Sequence, residues 1–361
     1  MSPLEVPEIL DQCLGHLLDH PDALLASALV RRSWTFPAQS NLFWHVLLAD
    51  YFGGPKVDLD RRCTLLLASL RASSHLSSLI RSFELSTECL SPKNLTALVS
   101  TSLPRLHTLY LAYTWPSELA AKGMRQLLSC PTLKHVQIRC SSGDSPDIFQ
   151  SLFESLSPGV TRMEFFPVGM VPLVPETPTL VYRGAPLRIE SFRFTAAYRR
   201  GVLWLESATG RYLDFTHLLR LSMGVYYHYL QAPLFLAAAR TIEVLKFDTN
   251  KDTGIVDISS YTCVKTLCVS CKTDRDLRTV SRIIQSIPRS SCLIQKLCIS
   301  GPLSDSGIAD MRDHLAATYP ALLDVLEMQY IKPVDVRERA ASIPEHFIRN
   351  PSGRYTLGND F

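Results

Sequence analysis

From residue 79 onward the apolar residues follow one short pattern: an apolar position, two others, a second apolar position, one other, a third. It reads IRSFEL at Ile80, LHTLYL at Leu106, LKHVQI at Leu133, VTRMEF at Val160 and IESFRF at Ile189. It continues as LLRLSM at Leu218, IEVLKF at Ile242, VKTLCV at Val264, IQKLCI at Ile294 and LDVLEM at Leu323, at intervals of 22 to 30 residues. The end of each motif alternates as a β-strand does, with two apolar side chains on one face. Between several strands lie amphipathic helix candidates: SELAAKGMRQLLSC from Ser117, SPDIFQSLFESL from Ser145, DRDLRTVSRIIQSI from Asp274 and SDSGIADMRDHLAATY from Ser304. Pro104, Pro131, Pro288 and Pro320 mark the return from helix to strand, because proline cannot continue the helix. One strand–helix unit cannot bury its own apolar faces, whereas stacked units can. The pattern therefore predicts an α/β fold with a parallel sheet on a concave side and helices outside.

Ahead of this array three short helical patterns follow one another. Ile9, Leu10, Cys13, Leu14, Leu17 and Leu18 recur at helical spacing after Pro7. Leu24, Leu25, Ala28 and Leu29 form a second stripe from about Pro21. A third helix is expected after Pro37, with Leu42, Phe43, Val46 and Leu47 on one side. Two segments break the rhythm. FPVGMVPLVPETPTLVYRGAP, Phe166 to Pro186, holds five prolines and reads as an extended loop in place of a helix. From Ile331 to Phe361 the pattern stops, which suggests a cap or tail. The divisions read from the chain are 1–50 helical, 51–78 a helical linker or N-terminal cap, 79–330 the array of about ten units, and 331–361 the tail.

Two resemblances follow from these residues. The array is similar to degenerate leucine-rich repeats, although Thr114, Ser141 or Ser270 stands where the usual asparagine follows the strand. The segment VPEILDQCLGHLLDHPDALLASALVRRSWTFPAQSNLFWHVLL resembles an F-box, in the form seen in large fungal families. The match runs through Val6-Pro7, Leu10, Leu14, Leu17-Leu18, Leu24, the Val30-Arg31-Arg32-Ser33-Trp34 string and Phe43. Arg31 and Trp44 depart from the family, which usually has cysteine and a basic residue there. The resemblance implies docking onto the Skp-type adaptor of an SCF ubiquitin ligase with its cullin scaffold. Val6, Pro7, Ile9, Leu10, Leu14 and Leu29 are the expected adaptor contacts, and Trp34 and Phe43 are expected to hold the helices together. The same segment also reads as a plain N-terminal cap on the array, with no adaptor.

Composition changes this picture little. Of 361 residues 46% are hydrophobic and 20% charged, with a net charge of +3, so charge alone implies neither nucleic-acid nor membrane binding. The start MSPLEVPEIL has no basic leader region, and no apolar run is long enough to span a bilayer, which suggests the cytoplasm or nucleus. The ten cysteines read as reduced, small buried hydrophobes. Cys268 and Cys271 form one Cys-x-x-Cys with Cys263 nearby, but zinc wants four ligands and the alternation explains them as strand residues. No metal or other cofactor is expected. None of the common catalytic signatures is present, and the histidines are dispersed, so binding is expected rather than catalysis.

The polar positions between the apolar ones are expected to face solvent on the concave sheet. Arg139, Arg162, Arg193, Arg220 and Lys246 fall there, with Tyr110, His135, Gln137, Glu164 and Asp248 near them. Tyr110 and the five basic residues are the expected target-binding set. Arginine pairs with carboxylate or phosphate through two parallel hydrogen bonds, so the target would be an acidic or phosphorylated protein segment. A solvated sheet face that merely carries charge accounts for each residue singly.

Overall fold

The structure, a computed structural model, describes residues 7–17, 20–49, 59–86, 90–113, 118–140, 152–167, 185–195, 211–224, 230, 233–248, 257–271, 277, 280, 282–283, 286, 293–301, 304–318 and 327–331. Val6, Thr114, Ser141, Pro288, Pro320, the strand start at Leu323, most of the proline-rich segment and the tail beyond Ile331 lie outside the described residues. The chain forms a mixed α/β structure that divides into two compact units, Met1–Val160 and Thr161–Phe361.

Unit 1 opens with α1 (Pro7–Gly15), α2 (Pro21–Val30) and α3 (Arg32–Phe43). Pro21 and Asp22 suit the first turn of α2, where the free N–H groups favour a negative charge. Arg31 is extended at φ −154°, so the two arginines form the corner between α2 and α3. The Thr35 hydroxyl donates to the Ala28 carbonyl at 3.0 Å and satisfies part of the last turn of α2. Leu10, Leu14, Leu24 and Ala38 make a small closed core, with Leu17, Ala28, Trp34 and Leu42 packed against it.

The third helix differs from the expectation in two ways. It begins at Arg32, so Pro37 lies inside it, and it ends at Phe43. Val46 and Leu47 belong instead to strand β1 (His45–Leu48). Val46 stands in register with Phe83, so its place in the apolar row of the next strand outweighs its helical spacing from Leu42. Helix α4 (Leu59–Ala72) follows and buries Leu59, Cys63, Leu67 and Leu70, one residue per turn. A 3₁₀ turn at Ser74–Ser78 leads to β2 (Ser82–Ser86). Then come α5 (Pro92–Val99), β3 (Thr108–Tyr113), α6 (Glu118–Leu128) and β4 (His135–Cys140). Strands β1 to β4 pair in chain order, all parallel. Helices α5 and α6 approach so closely that a Cβ on Gly123 would run into the Val99 side chain.

Unit 2 contains β5 (Arg162–Pro167), β6 (Leu187–Arg188), β7 (Ser191–Phe194), β8 (Leu213–Asp214) and β9 (Arg220–Met223). It continues with α7 (Pro233–Ala238), β10 (Val244–Asp248), β11 (Thr266–Ser270), β12 (Lys296–Ser300), α8 (Asp305–Thr318) and β13 (Glu327–Ile331). The strands pair in the order β5-β7-β9-β10-β11-β12-β13, all parallel. Strands β6 and β8 form a separate parallel pair, Leu187 with Leu213 and Arg188 with Asp214.

The recurrent sequence pattern becomes three rows, buried from β2 to β12. Within unit 2, Met163, Phe192, Leu221, Leu245, Leu267, Leu297 and Met328 lie side by side in register. Phe165, Phe194, Met223, Phe247, Val269, Ile299 and Tyr330 make the next row. Phe83, Leu109 and Val136 with Leu85, Leu111 and Ile138 are their counterparts in unit 1. The leading residue of each motif, from Ile80 to Ile294, is buried as well.

Strand entry is equally regular: two successive N–H groups donate to one carbonyl of the preceding strand's first corner. Arg81 and Ser82 donate to Trp44, and His107 and Thr108 to Arg81. Leu219 and Arg220 donate to Glu190, Glu243 and Val244 to Leu219, and Lys265 and Thr266 to Glu243. The motif therefore fixes backbone pairing as well as burial. No described helix is long and apolar enough to cross a membrane.

Candidate functional sites

The residues expected to contact an adaptor separate into two sets. Leu10 and Leu14 point into the closed core of the three helices, and Leu14 is only 2% exposed. They are core residues and not a docking surface. On a small helical unit the deepest heptad positions are needed for its own stability, and none is spare. Ile9 and Leu29 face outward, Leu29 at 88% exposure. Pro7 opens α1, and Val6 lies outside the described residues. Sequence reasoning missed most of the exposed set: Leu25, Val30 and Phe36 are exposed too. Leu25 and Leu29 are one turn apart and share a face of α2. The apolar stripe of α2 is wider than its core contact, and only Leu24, Ser27 and Ala28 turn inward. Trp34 packs on the core as expected, while Phe43 is half-buried at the end of α3.

The outward sheet face in unit 1 is not the open surface that alternation suggested. Glu84 is 1% exposed, and Tyr110 is buried rather than presented to a target. The Tyr110 ring lies edge-on between His45 and His135, with centroids 6.5 and 5.5 Å away. His45 Nδ1 is 2.8 Å from the Ser82 hydroxyl, and its Nε2 is 3.6 Å from Glu84 Oε2. Side chains on adjacent parallel strands stand about 4.8 Å apart, so three rings and a carboxylate fill that face and exclude water from its floor. Nothing in the spacing of His45, thirty-nine residues before Glu84, signals this cluster, because β1 was read as helix. Arg139, on β4, is exposed as expected.

In unit 2 the expected basic residues do share one face. Register places Arg162, Ser191 and Arg220 in one row and Glu164, Arg193, Ser222 and Lys246 in the next. Glu164 is 5% exposed and acts as an internal counter-ion. Arg162 donates to its Oε1 at 3.1 Å, and Arg193 lies 3.6 Å from its Oε2. The Arg193 guanidinium also stacks over Phe166 at 5.3 Å. Arg193 and Arg220 are exposed, and Arg162 and Lys246 are half-buried. The row runs on through Cys268 and Cys298, with Lys296 beside them. The Cys-x-x-Cys is divided: Cys268 lies on this face, and Cys271 follows the end of β11, where its N–H donates to Ser300.

The Asn94 side chain is used internally. Its amide donates to the Asp60 carbonyl at 3.0 Å and the Thr64 hydroxyl at 2.9 Å, which ties α5 to α4. The chain matches no known family model and no curated protein.

Proposed function

We propose that this chain is the substrate-recognition subunit of an SCF-type ubiquitin ligase. On this reading α1 to α3 are an F-box that takes a Skp-type adaptor, and the strand–helix array is a leucine-rich-repeat-like solenoid that takes a protein target. The chain performs no bond chemistry; it raises the concentration of a target lysine near the ubiquitin-conjugating enzyme. The observation that carries the reading is the apolar surface on a helical unit whose own core is already closed. Leu25, Leu29, Val30, Phe36 and Ile9 are exposed while Leu10, Leu14 and Leu24 are buried. Exposed apolar side chains in this number on a small unit fit a protein interface. The basic face built on Arg162, Arg193, Arg220 and Lys246 supports an acidic or phosphorylated target.

The test is co-purification of the full chain with a Skp-type adaptor. The variant Leu25→Glu/Leu29→Glu is expected to fold and to lose the adaptor. Retention of the adaptor by that folded variant, or no complex with the unmodified chain, would remove the ligase reading. One observation favours a second reading, a repeat scaffold in which the helices are only a cap. Helix α3 runs directly into β1, which is itself paired with β2. A cap reading expects Leu25→Glu/Leu29→Glu to change nothing.

A further inference from the structure

The corners at which the chain enters the strands of unit 1 form a second basic surface, apart from the polar sheet face. The Arg81 N–H donates to the Trp44 carbonyl, the His107 N–H to Arg81, and the Lys134 N–H to His107. These four residues therefore stand side by side at the entries to β1, β2, β3 and β4. Adjacent strands are about 4.8 Å apart, so the row runs about 14 Å from Trp44 to Lys134. Trp44 is 52% exposed, His107 and Lys134 are exposed, and Arg81 is half-buried. The Arg81 guanidinium lies 6.0 Å from the centre of the Trp44 ring, at the outer reach of a cation–π contact. Arg105 is exposed two residues before His107, and its carbonyl takes the His107 Nδ1–H at 2.6 Å.

The charge here is one-sided. Segments 78–82, 104–108 and 131–135 hold Arg81, Arg105 and Lys134 and contain no Asp or Glu. The next carboxylate along β2, Glu84, is 1% exposed. Arg81, Arg105 and Lys134 take no part in the ion pairs found among the described residues. Fixed positive charges without a counter-ion attract an anion, and an exposed tryptophan at one end offers it apolar area.

Length and charge number choose the occupant. A nucleic-acid stripe of ordinary strength makes about six to ten phosphate contacts. A basic cluster that binds a membrane holds about four to eight Lys and Arg. Three fixed charges fall short of both. An extended peptide rises about 3.3 Å per residue, so roughly four to five residues cover the row.

We infer that this row binds a short acidic protein segment with an aromatic side chain at one end. The aromatic packs on Trp44, and carboxylates along the segment meet Arg81, Arg105 and Lys134. Arginine takes a carboxylate through two parallel hydrogen bonds, which makes Arg81, next to Trp44, the anchor of the segment. None of these residues belongs to the adaptor set or to the unit 2 face, so the inference stands apart from the ligase reading.

The experiment is fluorescence anisotropy of a labelled peptide, one phenylalanine followed by four glutamates, titrated with the full chain at low salt. Saturable binding with a Kd below about 1 mM is expected, weakening as salt rises. Arg81→Glu/Lys134→Glu should abolish it. Trp44→Ala should weaken the phenylalanine-bearing peptide about tenfold and leave an all-glutamate peptide unchanged, a difference that general loss of structure would not produce. Binding kept by Arg81→Glu/Lys134→Glu and lost by Arg193→Glu/Arg220→Glu would put the peptide on the unit 2 face and overturn the inference. Two outcomes on the unmodified chain would also overturn it: no saturable binding up to about 1 mM, or tighter binding of a single-stranded pentanucleotide than of the peptide.

Discussion

At the scale of single residues, burial separates side chains that the sequence pattern treats alike. Leu14 and Leu29 both sit on apolar helical stripes, yet one is in the core and the other in water. Leu14→Ala should cost about 2–5 kcal/mol, and Leu29→Ala close to nothing, as read from denaturant midpoints. Equal losses would mean that Leu29 is covered in the folded chain. Glu164 poses a different problem. Its carboxylate is buried and held by Arg162 at 3.1 Å, with Arg193 at 3.6 Å. Glu164→Leu removes the counter-ion and leaves two guanidinium groups facing apolar atoms, so a loss of about 3 kcal/mol is expected. Both arginines are part-exposed and can turn to water, which keeps the figure at the lower end of that range. A melting temperature unchanged in Glu164→Leu would show that the pair contributes nothing.

At the scale of elements, the start of α5 is fixed by polar side chains reaching between it and α4. Ser91 caps α5 through its hydroxyl, which accepts from the Asn94 N–H at 3.3 Å. Asp60 at the start of α4 accepts from the Ser91 N–H at 2.7 Å. That backbone hydrogen bond, and then the side chains of Asn94 and Ser91, hold the Asp60 carboxyl below its ordinary value. A depressed folded-state value contributes stability that is complete above the unfolded value, near 3.9, and is lost as pH falls through the folded one. Asp60→Asn should therefore flatten the acid limb of the stability curve below about pH 4 and leave the alkaline limb alone. An unchanged acid limb would place the acid sensitivity in other carboxylates. These caps were legible only in part. The pattern located α6 and the strands on either side of it, because burial on one face dictates apolar spacing, but it named no helix at α5. It could not show that Asp60 meets Ser91, thirty-one residues on, since that contact depends on how two elements meet.

At the scale of the whole chain, the array motif was legible because the same three apolar positions are demanded by every strand. Strand β1 was not, because Val46 fits a helical period with Leu42 and a strand period with Leu48, and only the Phe83 and Leu85 row decides between them. The polar face was legible as a list but not as an environment. In unit 1 aromatic rings close it over Glu84, whereas in unit 2 small residues, Ser191 and Ser222, stand beside the exposed Arg193 and Arg220. On the proposed reading, that contrast would put target binding on the unit 2 face. Arg193 and Arg220 project from adjacent strands with a serine beside each in register, and on the proposed reading they are the pair that would meet a phosphate. Binding of a phosphorylated peptide should weaken as salt rises, since exposed charges are screened beyond roughly 8 Å at physiological ionic strength. Arg193→Lys/Arg220→Lys keeps the charge but loses the paired donors, whereas Arg193→Glu/Arg220→Glu reverses it. Peptide binding measured by fluorescence anisotropy should fall about tenfold in the lysine variant and vanish in the glutamate variant. A lysine variant that binds as well as the unmodified chain would reduce the face to a diffuse positive field. A glutamate variant that still binds would move the target to another surface.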